Sequence, residues 1–127
     1  MKMLIDTNRY TDFSRNVPDV VARFVEADEL FVPFAVIAEL RAGFKNGTIL
    51  SRNENALVRF LGNPKVQMLF PDLETTNIYA NIFAQLRRQG TPIPTHDMWI
   101  ASLAIQYSLP VFTRDNHFKK LPQLTLL

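Results

Sequence analysis

Four of the twelve acidic residues in this 127-residue chain sit where a charge is hard to justify. Asp6 follows directly on the apolar run Met3-Leu4-Ile5. Glu39 lies inside Val36-Ile37-Ala38-Glu39-Leu40. Asp97 opens the most apolar segment of the chain, and Asp115 comes just after Val111-Phe112-Thr113-Arg114. Carboxylates are seldom buried unless they are paired, hydrogen-bonded or bound to a cation. Each of the four also has an ordinary alternative. Asp6 fits a turn, Asp97 a helix N-cap and Asp115 an Asx-turn, while Glu39 fits solvent or a pairing with Arg41 or Arg9. Taken together they point to something more specific. Four carboxylates in one pocket repel unless a cation neutralises them. An all-oxygen site suits Mg²⁺ or Mn²⁺ better than zinc. The chemistry that follows is metal-assisted hydrolysis of a phosphodiester.

The other eight acids are explained without chemistry. Asp19, Glu26, Asp28 and Glu29 belong to a solvated helix face and its exit. Glu54 completes a capping box with Ser51, Asp72 and Glu74 suit a helix N-terminus, and Asp12 reads as a polar loop residue.

The elements that must position the four acids alternate along the chain. Met3–Ile5 reads as a buried strand. Val20, Val21, Phe24 and Val25 form a helical stripe within 17–27, and Leu30–Val32 is a second strand. Pro33 opens a helix with Val36, Ile37, Leu40 and Phe44 on one face, stopped near Gly47. A helix from Ser51 carries Leu57, Val58, Phe60 and Leu61, and Val66–Phe70 is a third strand. Asp72 or Thr75 caps a helix that ends at Arg87-Arg88 and Gly90. A helix apolar nearly all round runs from about residue 95 to 107, with Trp99 in its core. Pro110–Thr113 is a fourth strand, and Leu124–Leu127 a candidate fifth. This alternation predicts an α/β fold with a mainly parallel central sheet of four or five short strands between helices. Its active crevice should lie beyond the carboxyl ends of the strands, where Asp6 and Asp115 fall.

Composition narrows the function classes. Hydrophobic residues make up 47% and charged residues 20%, with 14 basic against 12 acidic residues for a net charge of +2, as in a globular protein rather than a disordered one. There are no cysteines, which excludes disulfides, a thiolate nucleophile, an iron–sulfur cluster and a cysteine zinc site. Two histidines make structural zinc unexpected. No catalytic triad or glycine-rich phosphate loop is present, since the four glycines are far apart. The opening MKMLIDTN is too short in apolar residues for a signal peptide, and no stretch approaches the ~20 needed to cross a bilayer. One domain over 1–127 and a cytoplasmic location are expected.

Ile5-Asp6-Thr7-Asn8, Ala38-Glu39-Leu40, the run from Ile93 to Ala101 (IPTHDMWIA) and Thr113-Arg114-Asp115-Asn116-His117-Phe118 together resemble the PIN-domain family, most closely its VapC-type toxins. The resemblance spans essentially the whole chain in motif order and spacing. It implies a Mg²⁺- or Mn²⁺-dependent endoribonuclease with a three-layer α/β/α fold. It implies Asp6, Glu39, Asp97 and Asp115 as the catalytic, metal-binding quartet, with Asn8 and Thr113 orienting them. It further implies a cognate antitoxin partner, a homodimer, and structured RNA such as transfer RNA as substrate. Arg41 and Arg114, next to two of the acids, are the first candidates for phosphate contacts, ahead of Lys45, Arg87, Arg88, Lys119 and Lys120. The chain departs from the family pattern at Arg9-Tyr10-Thr11-Asp12, where apolar residues usually follow. Arg9 there could line the site, touch a phosphate or pair with an acid. It departs again at His96, open to a proton-transfer role or a capping one. His117 reads as a turn residue. A DNA-cutting relative and a non-catalytic Mg²⁺-binding interaction or signalling domain are the competing classes. A phosphoacceptor receiver would need a second acid after Asp6, a central acceptor aspartate at the third strand and a late lysine, where this chain has Thr7, Phe70-Pro71 and Arg114.

Overall fold

A computed structural model describes all of residues 1–127. Its elements run β1 (Lys2–Ile5), α1 (Thr7–Ser14), α2 (Pro18–Glu26), β2 (Glu29–Pro33), α3 (Phe34–Lys45), α4 (Leu50–Leu61), β3 (Val66–Leu69), α5 (Leu73–Gln89), α6 (Thr95–Gln106) and β4 (Val111–Phe112), with a 3-10 helix at Asn116–Lys120. The four strands form one parallel sheet in the order β3-β2-β1-β4. Helices flank it, as parallel strands require, because each crossover must return the chain over a face of the sheet. The two central strands are the most buried. Met3, Leu4 and Ile5 of β1 and Leu30 and Val32 of β2 are at most 2% exposed. No helix is long and apolar enough to cross a membrane.

Two aromatic groups mark the packing. Phe13 stacks on Phe24 at 4.6 Å between ring centroids, and Tyr10, Phe60 and Phe112 close around them, joining α1, α2, α4 and β4. Trp99 stacks on Tyr79 at 4.3 Å and meets Phe34 edge-on, joining α6 to α5 and α3. Trp99 is thus a partly buried packing residue, as expected. The Lys65 ammonium caps the end of α2, donating to the carbonyls of Phe24, Val25 and Ala27. A cation there also complements the negative end of the helix.

Several local expectations are corrected. Residues 7–14 form a helix rather than a loop, so Asp12 is a helix residue and only 9% exposed. The Ser51–Glu54 capping box is not made. The helix starts at Leu50, so the cap position falls on Ile49, whose side chain has no acceptor, and Glu54 accepts from Arg41 instead (Nε–Oε1 2.9 Å). Asp97 is not an N-cap; Pro94 holds that place and Asp97 lies within the first turn. Asp72 and Thr75 share one capping box rather than competing for it, and Gly90 ends α5 with φ +70°, a conformation costly for residues bearing a Cβ. The fourth strand shrinks to two residues. The candidate fifth contributes a single parallel bridge, Val111 to Leu126, so the sheet has four strands. That tail still covers the β4 edge: Val111 N donates to Thr125 O at 2.8 Å and Leu127 N to Val111 O at 2.9 Å.

Candidate active site

Because all four strands run the same way, their carboxyl ends meet on one side, and the chain leaves β1 and β4 there as neighbours. Asp6 leaves β1 and at once caps α1, its Oδ1 accepting from Thr7 N at 2.8 Å. Its Oδ2 accepts from the Thr113 hydroxyl at 2.8 Å and from Asn8 Nδ2 at 3.3 Å. Thr113, just past β4, is itself oriented, since its Oγ1 accepts from Asp115 N at 2.9 Å. Asn8 Oδ1 accepts from Arg114 N at 3.3 Å, tying the two loops together a second time.

Asp97 enters from the N-terminal turn of α6, 8% exposed, where the helix dipole favours its anion. Glu39 comes from the middle of α3, half-exposed. Asp115 caps the 3-10 helix, accepting from His117 N at 2.9 Å, so the Asx-type geometry open to it in the sequence is realised at the site itself. Asp6, Glu39, Asp97 and Asp115, with Thr7, Asn8, Thr11 and Arg114, line one cleft of about 280 Å³ that contains no apolar side chain. The four acids separated in sequence are therefore brought together, with Asn8 and Thr113 against the first of them.

The cleft is electrostatically strained. Burial raises the pKa of Asp6. The hydrogen bonds from Thr113 and Thr7 oppose this rise, and the charges of Asp97 and Glu39 add to it. Burial likewise raises Asp97, with His117 opposing and Asp115 adding. Arg114 is the one cationic side chain lining the cleft, and it is already engaged: its Nε and Nη2 each donate to Asp12 at 3.1 Å. Arg9 Nη1 donates to the same carboxylate at 3.2 Å while its guanidinium lies 4.5 Å from the Phe112 ring centre. Of the alternatives open to Arg9, it takes pairing with an acid. These contacts, Arg114's first, hold Asp12 below the ordinary carboxylate value. A carboxylate cluster whose members raise one another's pKa, and whose one lining arginine is paired with Asp12, has the donor set that fits a hard divalent ion.

Arg41 does not join the cleft. It lies away on α3, paired with Glu54. His96 brings Nε2 within 3.1 Å of Glu39 Oε2, though not aligned as a hydrogen bond. The residue that sequence reasoning missed is His117. It sits in the 3-10 turn, as its sequence reading has it, but its Nδ1 also hydrogen-bonds Asp97 Oδ2 at 2.7 Å and lies 3.2 Å from Asp115 Oδ1. The available signal was its place two residues after an acid and immediately before a phenylalanine, Phe118, that is fully buried.

The family model described as PIN domain matches residues 3–124. The plasmid stability protein StbB of Pseudomonas syringae pv. tomato is 28% identical, over 89% of this chain and 87% of its own. Ribonuclease VapC1 of Haemophilus influenzae is 27% identical, over 98% of this chain and 95% of its own. Among solved structures, DNA-bound VapBC from Salmonella typhimurium superposes with a TM-score of 0.88 at 25% identity, covering 100% of this chain and 97% of that one. VapBC-1 from nontypeable Haemophilus influenzae gives 0.86 at 25%, with the same coverage.

Proposed function

Because the chain belongs to the PIN-domain family, we propose that it is a metal-dependent endoribonuclease, the toxin of a toxin–antitoxin pair, that hydrolyses phosphodiester bonds of structured RNA such as transfer RNA. The observation that carries this reading is the single polar cleft in which Asp6, Glu39, Asp97 and Asp115 converge from four separate segments. The relatives named ribonuclease VapC1 support the reaction class, and the VapBC complexes support a small antitoxin protein as the partner.

Asp6, Asp97 and Asp115 would hold Mg²⁺ or Mn²⁺. When bound, such an ion polarises a phosphate oxygen and lowers the pKa of water. Thr113 and Asn8 fix the Asp6 carboxylate by the hydrogen bonds described above, removing its rotational freedom before substrate arrives. Glu39, half-exposed, would join Asp6, Asp97 and Asp115 as a further ligand or orient the attacking water.

The direct test incubates purified protein with total transfer RNA and Mn²⁺ or Mg²⁺, beside an EDTA control and an Asp97→Asn variant. Discrete fragments that need both the ion and Asp97 are expected. Absence of cleavage by folded, antitoxin-free, ion-loaded protein would refute the ribonuclease assignment for that RNA. Cleavage surviving both EDTA and Asp97→Asn would trace to a contaminant.

Arg114 is the basic residue best placed for a backbone phosphate, since Asp12 holds its guanidinium at the cleft wall. Arg114→Ala should weaken binding of RNA by catalytically inactive protein and flatten the plot of log affinity against log salt by about one unit. An unchanged slope would remove Arg114 from the interface.

A further inference from the structure

We propose that His117 is a nitrogen ligand of the ion in this cleft and biases the site toward a first-row transition ion, such as Mn²⁺, over Mg²⁺. The inference rests on the metal reading given above and deepens it, because a carboxylate-only site has no such bias built in.

The geometry is specific. One nitrogen of the ring reaches two of the acids at once: Nδ1 is hydrogen-bonded to Asp97 Oδ2 at 2.7 Å and lies 3.2 Å from Asp115 Oδ1, and a bound ion would take the place of the proton in that bond, with the ring proton on Nε2. Adjacent donors around an octahedral ion with bonds of about 2.1 Å stand roughly 3 Å apart, so these separations are those of neighbours in one shell. The ligand atoms of Asp97, Asp115 and His117 all lie within 4.8 Å of one another. The backbone fixes this arrangement. His117 N donates to Asp115 Oδ1 at 2.9 Å, which turns the ring and the carboxylate to the same side, and the next residue, Phe118, is fully buried as the anchor of the turn. The other imidazole, His96, sits against Glu39 with its Nε2 and makes no hydrogen bond there.

The chemistry follows from the donor. Imidazole nitrogen is softer than carboxylate oxygen, and Mg²⁺ takes oxygen and water in preference to nitrogen, whereas transition ions bind imidazole well. An imidazole completing two carboxylates therefore adds affinity for the transition ion and little for Mg²⁺.

The test uses Mn²⁺ itself as probe, on the full chain free of antitoxin. Binding is followed by electron paramagnetic resonance, and pulsed measurements read the coupling of the ion to ¹⁴N. Wild type and His96→Asn should show the nitrogen coupling. His117→Asn should still bind Mn²⁺ but lose the coupling, with Mn²⁺ affinity falling at least about tenfold and Mg²⁺ affinity falling less. Mn²⁺ bound to wild type without nitrogen coupling, or coupling that survives His117→Asn, would overturn the assignment of His117 while leaving the ion site standing. No Mn²⁺ bound to folded wild type would overturn the metal reading itself, and the His117 assignment with it.

Discussion

Asp6→Asn is expected to reduce RNA cleavage by about 10²–10³-fold or more, the loss seen when a preorganised charge-stabilising group is removed, and at the same time to make stability without metal less sensitive to rising pH. The two effects have one cause. Asp6 is 5% exposed, and its pKa is raised first by burial and then by the charges of Asp97 and Glu39. A carboxyl group with a raised folded-state pKa holds its proton more tightly folded than unfolded. Its stabilising contribution is fully present below the unfolded value of 3.8 and is lost as pH rises through the raised folded value. Asp97 acts in the same direction. Asp12 acts in the opposite one, because its pKa is lowered; its stabilisation is present above 3.8 and disappears as pH falls through the depressed value. Asparagine in place of Asp6 removes one ionisation from the first group and keeps the shape and an acceptor for Thr7 N, but its amide nitrogen replaces the oxygen that accepts from Thr113 and Asn8, so the pH dependence rather than the absolute stability reports the lost charge. Thermal unfolding in EDTA between pH 4 and pH 7 should therefore show a shallower loss of stability with rising pH than in wild type. Added Mn²⁺ should raise the wild-type midpoint more than that of the variant. A variant whose stability falls with rising pH as steeply as that of wild type would show that Asp6 does not carry a raised pKa.

The largest loss of stability should come from Phe118→Ala, about 3–5 kcal/mol. Phe118 is fully buried and is the only buried side chain in the 3-10 helix. Its ring anchors the turn that presents Asp115 at one end and His117 one residue before it. Urea unfolding should show the full loss, and Mn²⁺ affinity should fall in conditions where the variant remains folded. Phe70→Ala is the control. That side chain is 60% exposed, and its removal should change stability by no more than about 0.5 kcal/mol. A loss below about 1 kcal/mol for Phe118→Ala would mean that the turn is held by something other than this ring.

The four acids were legible because all interrupt apolar patterns, where burial would be costly for a charge without a partner, but only Asp6 and Asp97 are buried as the pattern predicts; Glu39 is half-exposed and Asp115 partly so. The strand–helix alternation was legible for the same kind of reason, since hydrophobic periodicity is local. What escaped was set by competition between distant groups. Helix α1 has only Tyr10 and Asp12 buried, so no apolar stripe announces it, and its N-cap is Asp6, a residue already marked for another task. Ser51 and Glu54 carry a sound capping pattern, yet Arg41 on another helix takes the glutamate. Held there, Arg41 is not among the residues that line the cleft. Asp12 and Arg114 find each other across 102 residues, and His117 meets Asp97 across 20. No local rule reports such meetings. The last strand was overestimated because tail residues 125–127 supply backbone bonds that a longer β4 would have needed.

The hydrogen bond from Thr113 to Asp6 closes a loop of 107 residues, and it is made by the edge strand that enters the sheet last in chain order. A growing polypeptide can pair its first three strands and already carries Asp6, Glu39 and Asp97. It still lacks the hydroxyl that fixes Asp6 and the turn that brings Asp115. During synthesis, competence to cut RNA thus arrives in one step, once residues 111–115 have been made, rather than building up by degrees. A ribosome that stalls before that point releases a fragment without a finished cleft.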